Sequence, residues 1–138
     1  MRFDKLTTKF QQALADAQSI AAGQDHQFIE PVHVLSGLLA QDDGTSASLL
    51  SRAGVNVPRL RESLRAAISR LPKVEGHGGE VQISRELNGL LNLADKEAQK
   101  RGDQYIASEL FLFACAADKG EIGRLLKQAG RASFTRLG

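Results

Sequence analysis

The sequence predicts an all-α bundle made of two pseudo-symmetric copies of one four-helix unit, and three observations predict it. First, the chain matches itself. A shift of 77 positions (87 − 10 = 77) lays residues 10–40 on residues 87–117 without a gap, pairing Leu14 with Leu91, Ala17 with Ala94, Ala21 with Ala98, Gln27 with Gln104, Ile29 with Ile106 and Leu35 with Leu112. Second, the apolar spacing inside each copy is helical. Third, no run of period-two alternation bounded by turn signals occurs, so no sheet is expected.

The elements follow in order. Phe10, Ala13, Leu14, Ala17 and Ala21 make a one-sided stripe, and Leu87, Leu90, Leu91, Ala94 and Ala98 repeat it, so both first helices should face the core. Thr7 and Ser84 stand at equivalent positions just ahead of these stripes, where a hydroxyl accepts a hydrogen bond from a first-turn amide, and are predicted N-caps. A second helix spans residues 31–41, opened by Pro31 where no amide donor is needed, and its copy spans 108–118. After one deleted residue in the next loop, residues 49–54 lie on 125–130, giving a short third helix at 46–53 and its copy from 121. Gly54 and Gly130 close them in the left-handed conformation that glycine adopts cheaply. A fourth helix at 58–71 buries Leu60, Leu64, Ala67, Ile68 and Leu71 and turns Arg59, Arg61, Arg65 and Arg70 outward. The reading is one domain over residues 1–138: a first repeat to about 71, a glycine-bearing connector at about 72–80, a second repeat at about 81–130, and a divergent tail, 131–138, too short for a counterpart of the fourth helix. That last helix is therefore truncated or missing.

Composition excludes more than it names. The 138 residues carry 18 Lys+Arg against 16 Asp+Glu, mixed along the chain, so the net charge of +2 points to neither nucleic acid nor a membrane surface. One Tyr and no Trp leave little for stacking bases, and Glu62 interrupts the arginines of the fourth helix. The single cysteine, Cys115, cannot form an internal disulfide; it aligns with Leu38 on an apolar face and reads as a small buried hydrophobe. No apolar run reaches the roughly 18 residues that span a bilayer, and the N-terminus is polar where a secretory signal is apolar, so a soluble, cytoplasmic protein is expected.

The chemistry of an enzyme is not found in the sequence. No GxxxxGK[ST] phosphate loop occurs, and the glycines of residues 76–79 lack its lysine. His26, His33 and His77 lack partners at metal-ligand spacing, one cysteine cannot complete a zinc set, and the histidines read as surface or boundary residues. Asp16, Glu62, Asp95 and Glu97 fall on helix surfaces without a pairing that suggests acid–base catalysis. No metal, cofactor or catalytic residue is predicted for this chain.

The repeat supplies a different kind of candidate. Positions that only the fold requires should be apolar in both copies, yet Leu93 lies opposite Asp16, Leu110 opposite His33 and Phe113 opposite Ser36. If the copies share a helical phase, these polar counterparts mark solvated directions, and Leu93 and Leu110 project into the open, where clustered apolar residues mark interaction sites.

The stretches MRFDKLTTKFQQALADAQ, QFIEPVHVLSGLL, RLPKVEGHGG and QKRGDQYIASELF resemble the N-terminal domains of the Clp/Hsp100 chaperones, those of ClpB-type disaggregases in particular, over about residues 1–130. The resemblance implies a mobile, non-catalytic helical domain, monomeric when isolated, ahead of hexameric ATP-driven modules absent from this chain. Its partners would be unfolded or aggregated polypeptides. In that family, residues matching Thr7, Asp103 and Glu109 are linked to function, and an apolar patch matching Leu93 and Leu110 contacts extended substrate; Glu97 stands where an apolar residue would extend the patch. Thr7, Asp103 and Glu109 also have local reasons to be where they are: an N-cap, a turn and a helix start. The alternative is an adaptor-docking N-domain of a Clp protease ATPase or specialised remodelling motor, or a stand-alone Clp-repeat regulator.

Overall fold

The computed structural model describes residues 3–42, 44–74 and 80–130. A 3₁₀ turn, Phe3–Lys5, leads into α1 (Thr8–Gly23), β1 (Phe28–Ile29), α2 (Pro31–Ala40), α3 (Ser46–Arg52) and α4 (Val57–Ser69); the second half holds β2 (Gln82–Ile83), α5 (Arg85–Arg101), α6 (Ser108–Ala117) and α7 (Glu121–Gln128). The all-α bundle is as the periodicity predicts. Thr7 Oγ1 accepts from the Phe10 amide at 3.3 Å and Ser84 Oγ from the Leu87 amide at 3.1 Å, so both predicted N-caps form. Gly54 and Gly130 follow α3 and α7 at φ 97° and 149°, in the region that favours glycine. The tail at 131–138, residues 75–79 of the connector and His77 with them lie outside the described residues.

Small residues let α1 and α2 approach closely. Ala13, Ala17 and Ala21 of α1 are fully buried, and a Cβ on Gly37 of α2 would stand 2.9 Å from the Ala13 carbonyl oxygen. Helix α2 packs against α1, α3, α4 and α5, and α6 packs against α3, α5 and α7, so these two helices form the centre of the bundle. Phe10 of α1 meets Phe111 of α6 there, with ring centroids 5.4 Å apart.

The halves interlock through extended segments that alternation did not reveal. In a parallel pair, β1 sets Ile29 beside Ile83 of β2, and an isolated parallel bridge sets Leu6 beside Ile106. These pairings are copies of each other, since 29 + 77 = 106 and 6 + 77 = 83. The amide of Ser84 bonds to the Ile29 carbonyl at 3.1 Å, and its equivalent, the amide of Thr7, bonds to the Ile106 carbonyl at 3.1 Å. Each copy thus contributes the segment before its first helix to the other copy. A two-residue strand is too short to show a period, which is why the sequence predicts no sheet.

Three smaller differences have local causes. Helix α4 begins at Val57, not residue 58, because the Asn56 side chain caps it by accepting from the Arg59 amide at 3.0 Å; it ends at Ser69, which leaves Leu71 only half-buried. Leu14 is also half-buried, although its stripe faces the core. His26 and His33, expected at the surface or its boundary, are 4% and 0% exposed, and their burial is tolerated because they bond to each other.

Candidate functional site

Open apolar surface occurs at several places among the described residues, and two of them adjoin the predicted site residues. The first is the one predicted at Leu93. This residue is 49% exposed on the outer face of α5, as its polar counterpart Asp16 implies. One turn on, the Glu97 carboxylate pairs with the Arg101 guanidinium at 2.9 Å, and Arg101 lies over the Phe113 ring at 5.5 Å from its centroid. A half-buried ion pair thus stands one turn from Leu93 in place of a further apolar residue, and Phe113 of α6 is half-buried beneath the arginine.

Leu110 is not part of any open surface. It is 1% exposed, against the expectation that it projects outward. The inference fails at its premise: His33, its counterpart, is itself buried and marks no solvated direction. Leu110, Phe111, Leu112, Ala114 and Cys115 are all buried, so the central helix α6 has little solvated face. Cys115 is buried as predicted; burial, with the Asp118 charge adding to it, pushes its thiol well above the ordinary range, and the side chain is inert at neutral pH.

Thr7, Asp103 and Glu109 surround the Leu6–Ile106 bridge. Thr7 is half-buried and tied to the Ile106 carbonyl, Asp103 is exposed in the turn after α5 with its amide bonded to the Ala98 carbonyl at 2.8 Å, and Glu109 is exposed in the first turn of α6. The bridge brings the start of the chain against the turn between Asp103 and Glu109, which sequence distance alone does not show.

The second open surface is a groove of about 660 Å³ between the 3₁₀ turn, α1 and the β1–β2 pair. Phe3, Leu6, Leu14, Ile29, Val81 and Ile83 line it, with Gln11 and Gln18 among its polar groups. Phe3 is 44% exposed, and the half-burial of Leu14 is explained by its place in this wall. Gln11 holds the turn in place by donating from Nε2 to the Leu6 carbonyl at 2.9 Å.

Among the described residues, the equivalent place in the second copy is closed by different side chains. In the second copy Leu91 replaces Leu14 and is fully buried, while the Asp95 carboxylate accepts from Lys5 Nζ at 3.2 Å and ties α5 to the opposing segment. The equivalents of Asp95 and Lys5 are Gln18 and Gln82, which cannot form an ion pair.

Among the described residues, no group of three or more His, Cys, Asp or Glu side chains could hold a metal ion, and no helix is long and apolar enough to cross a membrane. Asp16 and Glu62 make ordinary helix-surface bonds, Asp16 accepting from Gln12 and Glu62 from Arg65.

The family model described as "Clp repeat (R) N-terminal domain" matches residues 5–129. The chain belongs to that family. This Clp N-domain is 52% identical over 130 residues to the chaperone protein ClpB of Vibrio cholerae and 45% identical over 130 residues to that of Pseudomonas putida, in each case across 94% of the chain. It spans about 15% of the length of those relatives. Among solved structures, the Hsp104 N-terminal domain of Candida albicans superposes with a TM-score of 0.83 at 21% identity, covering 96% of this chain and 86% of that one. The N-domain of ClpV from Vibrio cholerae superposes at 0.82 with 20% identity, covering 97% and 81%. A complex of a ClpV N-domain with a VipB peptide superposes at 0.80 with 19% identity, covering 97% and 82%. This chain is thus a ClpB-type N-domain of the Clp/Hsp100 chaperones.

The groove of this Clp N-domain is the feature that the comparison of repeats misses when it starts at residue 10. Carried back to the first residues, the same comparison sets Phe3 opposite Glu80 and Val81 opposite Asp4, apolar against polar, and both apolar members line the groove.

Proposed function

We propose that this domain captures exposed apolar segments of unfolded or aggregated polypeptides, in the cytoplasm, on behalf of a hexameric ATP-driven disaggregase. Its own part is non-catalytic. The observation that carries the reading is the open apolar groove between α1 and β2, large enough for several side chains of an extended or helical segment and bordered by polar groups. Leu93 offers a second contact on α5, Phe113 lies half-buried under Arg101 on α6, and Thr7, Asp103 and Glu109 supply polar groups around the Leu6–Ile106 bridge. Leu110 contributes from beneath, by holding α6 in place.

Each apolar anchor that leaves water contributes roughly 1.5–3 kcal/mol, and ordering a flexible chain offsets much of it. Affinity in the micromolar range or weaker follows, which suits handover to a motor. The test is an NMR titration with reduced, carboxymethylated α-lactalbumin, which stays unfolded, against the folded protein as control. Shifts at Phe3, Leu14, Ile83 and Leu93 with the unfolded form only, weakened in Leu14→Ser and Leu93→Ala, support the proposal. Absence of shifts at millimolar concentration overturns it.

The second reading, docking of one defined partner, is raised by the ClpV N-domain of the same fold that was solved with a VipB peptide. It predicts saturable binding to a single protein and indifference to unfolded α-lactalbumin.

A further inference from the structure

We propose that the buried His26–His33 pair is a proton-sensitive latch that holds β1, and with it one wall of the groove, and that acid releases. His33 is the third residue of α2, where a glutamine or glutamate reaches back to the N-cap amide in a capping box. Its Nδ1 accepts from the Glu30 amide at 2.8 Å, and its Nε2 lies 2.9 Å from His26 Nδ1. These two contacts fix every proton. A main-chain amide can only donate, so Nδ1 of His33 is an acceptor, and the neutral ring carries its hydrogen on Nε2. That hydrogen is donated to His26 Nδ1, which leaves the His26 hydrogen on Nε2, a buried atom with no partner.

The pair consequently has no free lone pair. A proton can enter only at His33 Nδ1, by displacing the Glu30 amide, or at His26 Nδ1, by displacing the His33 N–H. Either event sets two N–H groups against each other and adds a charge where the rings are 0% and 4% exposed. A proton on His26 parts the two rings, and a proton on His33 parts its ring from the Glu30 amide, so either event frees one end of the segment between the two histidines. That segment holds β1, whose Ile29 lines the groove, and its carbonyls at Gln27 and Ile29 accept from the amides of Gln82 and Ser84.

The charged groups around the pair do not cancel this. Burial first, and then the Lys73 charge, disfavour a proton on His26, while Asp25 opposes them; for His33, burial and His26 together bring the imidazole down to about 4. The Glu30 carboxyl, next to the latch and bonded to Ser84, is pushed up by burial and by Glu86 of α5 and Glu121 of α7, so it does not supply a strong counter-ion as the pH falls.

The test is ¹⁵N imidazole NMR with amide hydrogen exchange on this chain from pH 7.5 to 4.5, in wild type and in His33→Gln, which keeps an acceptor for the Glu30 amide that does not titrate. Both rings are expected as neutral Nε2–H tautomers at pH 7. Protection of the Glu30, Gln82 and Ser84 amides, corrected for intrinsic exchange, should fall about twentyfold from pH 7 to pH 5, the ratio that follows for a ring that titrates at 6.5 when open and about 4 when latched. In His33→Gln, where only His26 still titrates, the fall should be much smaller. Proton uptake without loss of protection, or an equal loss in His33→Gln, overturns the proposal. Should that variant not fold, a charged ring or an Nδ1–H tautomer of His33 in wild type at pH 7 overturns it equally.

Discussion

Leu93→Ala and Leu110→Ala are interchangeable as sequence arguments and opposite as structural ones. Leu110 is 1% exposed within α6, so its truncation removes buried methyl groups and leaves a cavity among close-packed neighbours; Leu→Ala at such sites costs about 3–5 kcal/mol. Leu93 is 49% exposed, and its truncation forfeits about 1 kcal/mol at most. With a urea m-value of about 2 kcal/mol/M for a domain of this size, the midpoint should drop by about 2 M in Leu110→Ala and by less than about 0.5 M in Leu93→Ala. Urea unfolding followed by circular dichroism reads both shifts at once. The difference matters for any binding experiment, since Leu110→Ala would lose polypeptide binding through loss of fold, whereas Leu93→Ala isolates a contact. A Leu110→Ala midpoint within 0.5 M of wild type, or a Leu93→Ala midpoint that falls as far as Leu110→Ala, by about 2 M or more, would refute the assignment of one residue to the core and the other to the surface.

Three further outcomes are expected. The depressed His33 imidazole leaves the folded chain binding fewer protons than the unfolded one between pH 6.5 and about 4, so stability is full above that window and falls by about 2 kcal/mol from pH 7 to pH 5; His33→Gln should lack this component in the same urea assay. Gly123→Ala would place a Cβ 1.9 Å from the Asp118 carbonyl oxygen and should be strongly destabilising, whereas Gly89→Ala on α5 meets nothing within 4 Å and should raise stability by about 0.5–1 kcal/mol, both read as midpoint shifts. Cys115 should react with a thiol reagent only at the rate at which the domain opens, and reaction much faster than unfolding would contradict its burial.

Helices, caps and duplication were legible in the sequence by itself. Each rests on residues within about a turn of one another, or on identity repeated at a fixed shift: Thr7 and Ser84 cap because the amides they satisfy are three residues away, and Gly54 and Gly130 end their helices through their own φ. Leu93 was legible for the same reason, because α5 has a solvated face whose direction Asp16 reports from the other copy. What the tertiary structure decided is everything that depends on the far side of an element. Helices α2 and α6 are covered by neighbours around most of their circumference, so a polar residue at position 33 does not mean solvent, and Leu110 is core. The His26–His33 bond, the paired segments at Ile29–Ile83 and Leu6–Ile106, and the groove that stays open because Gln18 and Gln82 stand where Asp95 and Lys5 close its twin all join residues far apart in the pattern. Periodicity records the direction in which a side chain leaves its own helix, and only packing determines what it meets there.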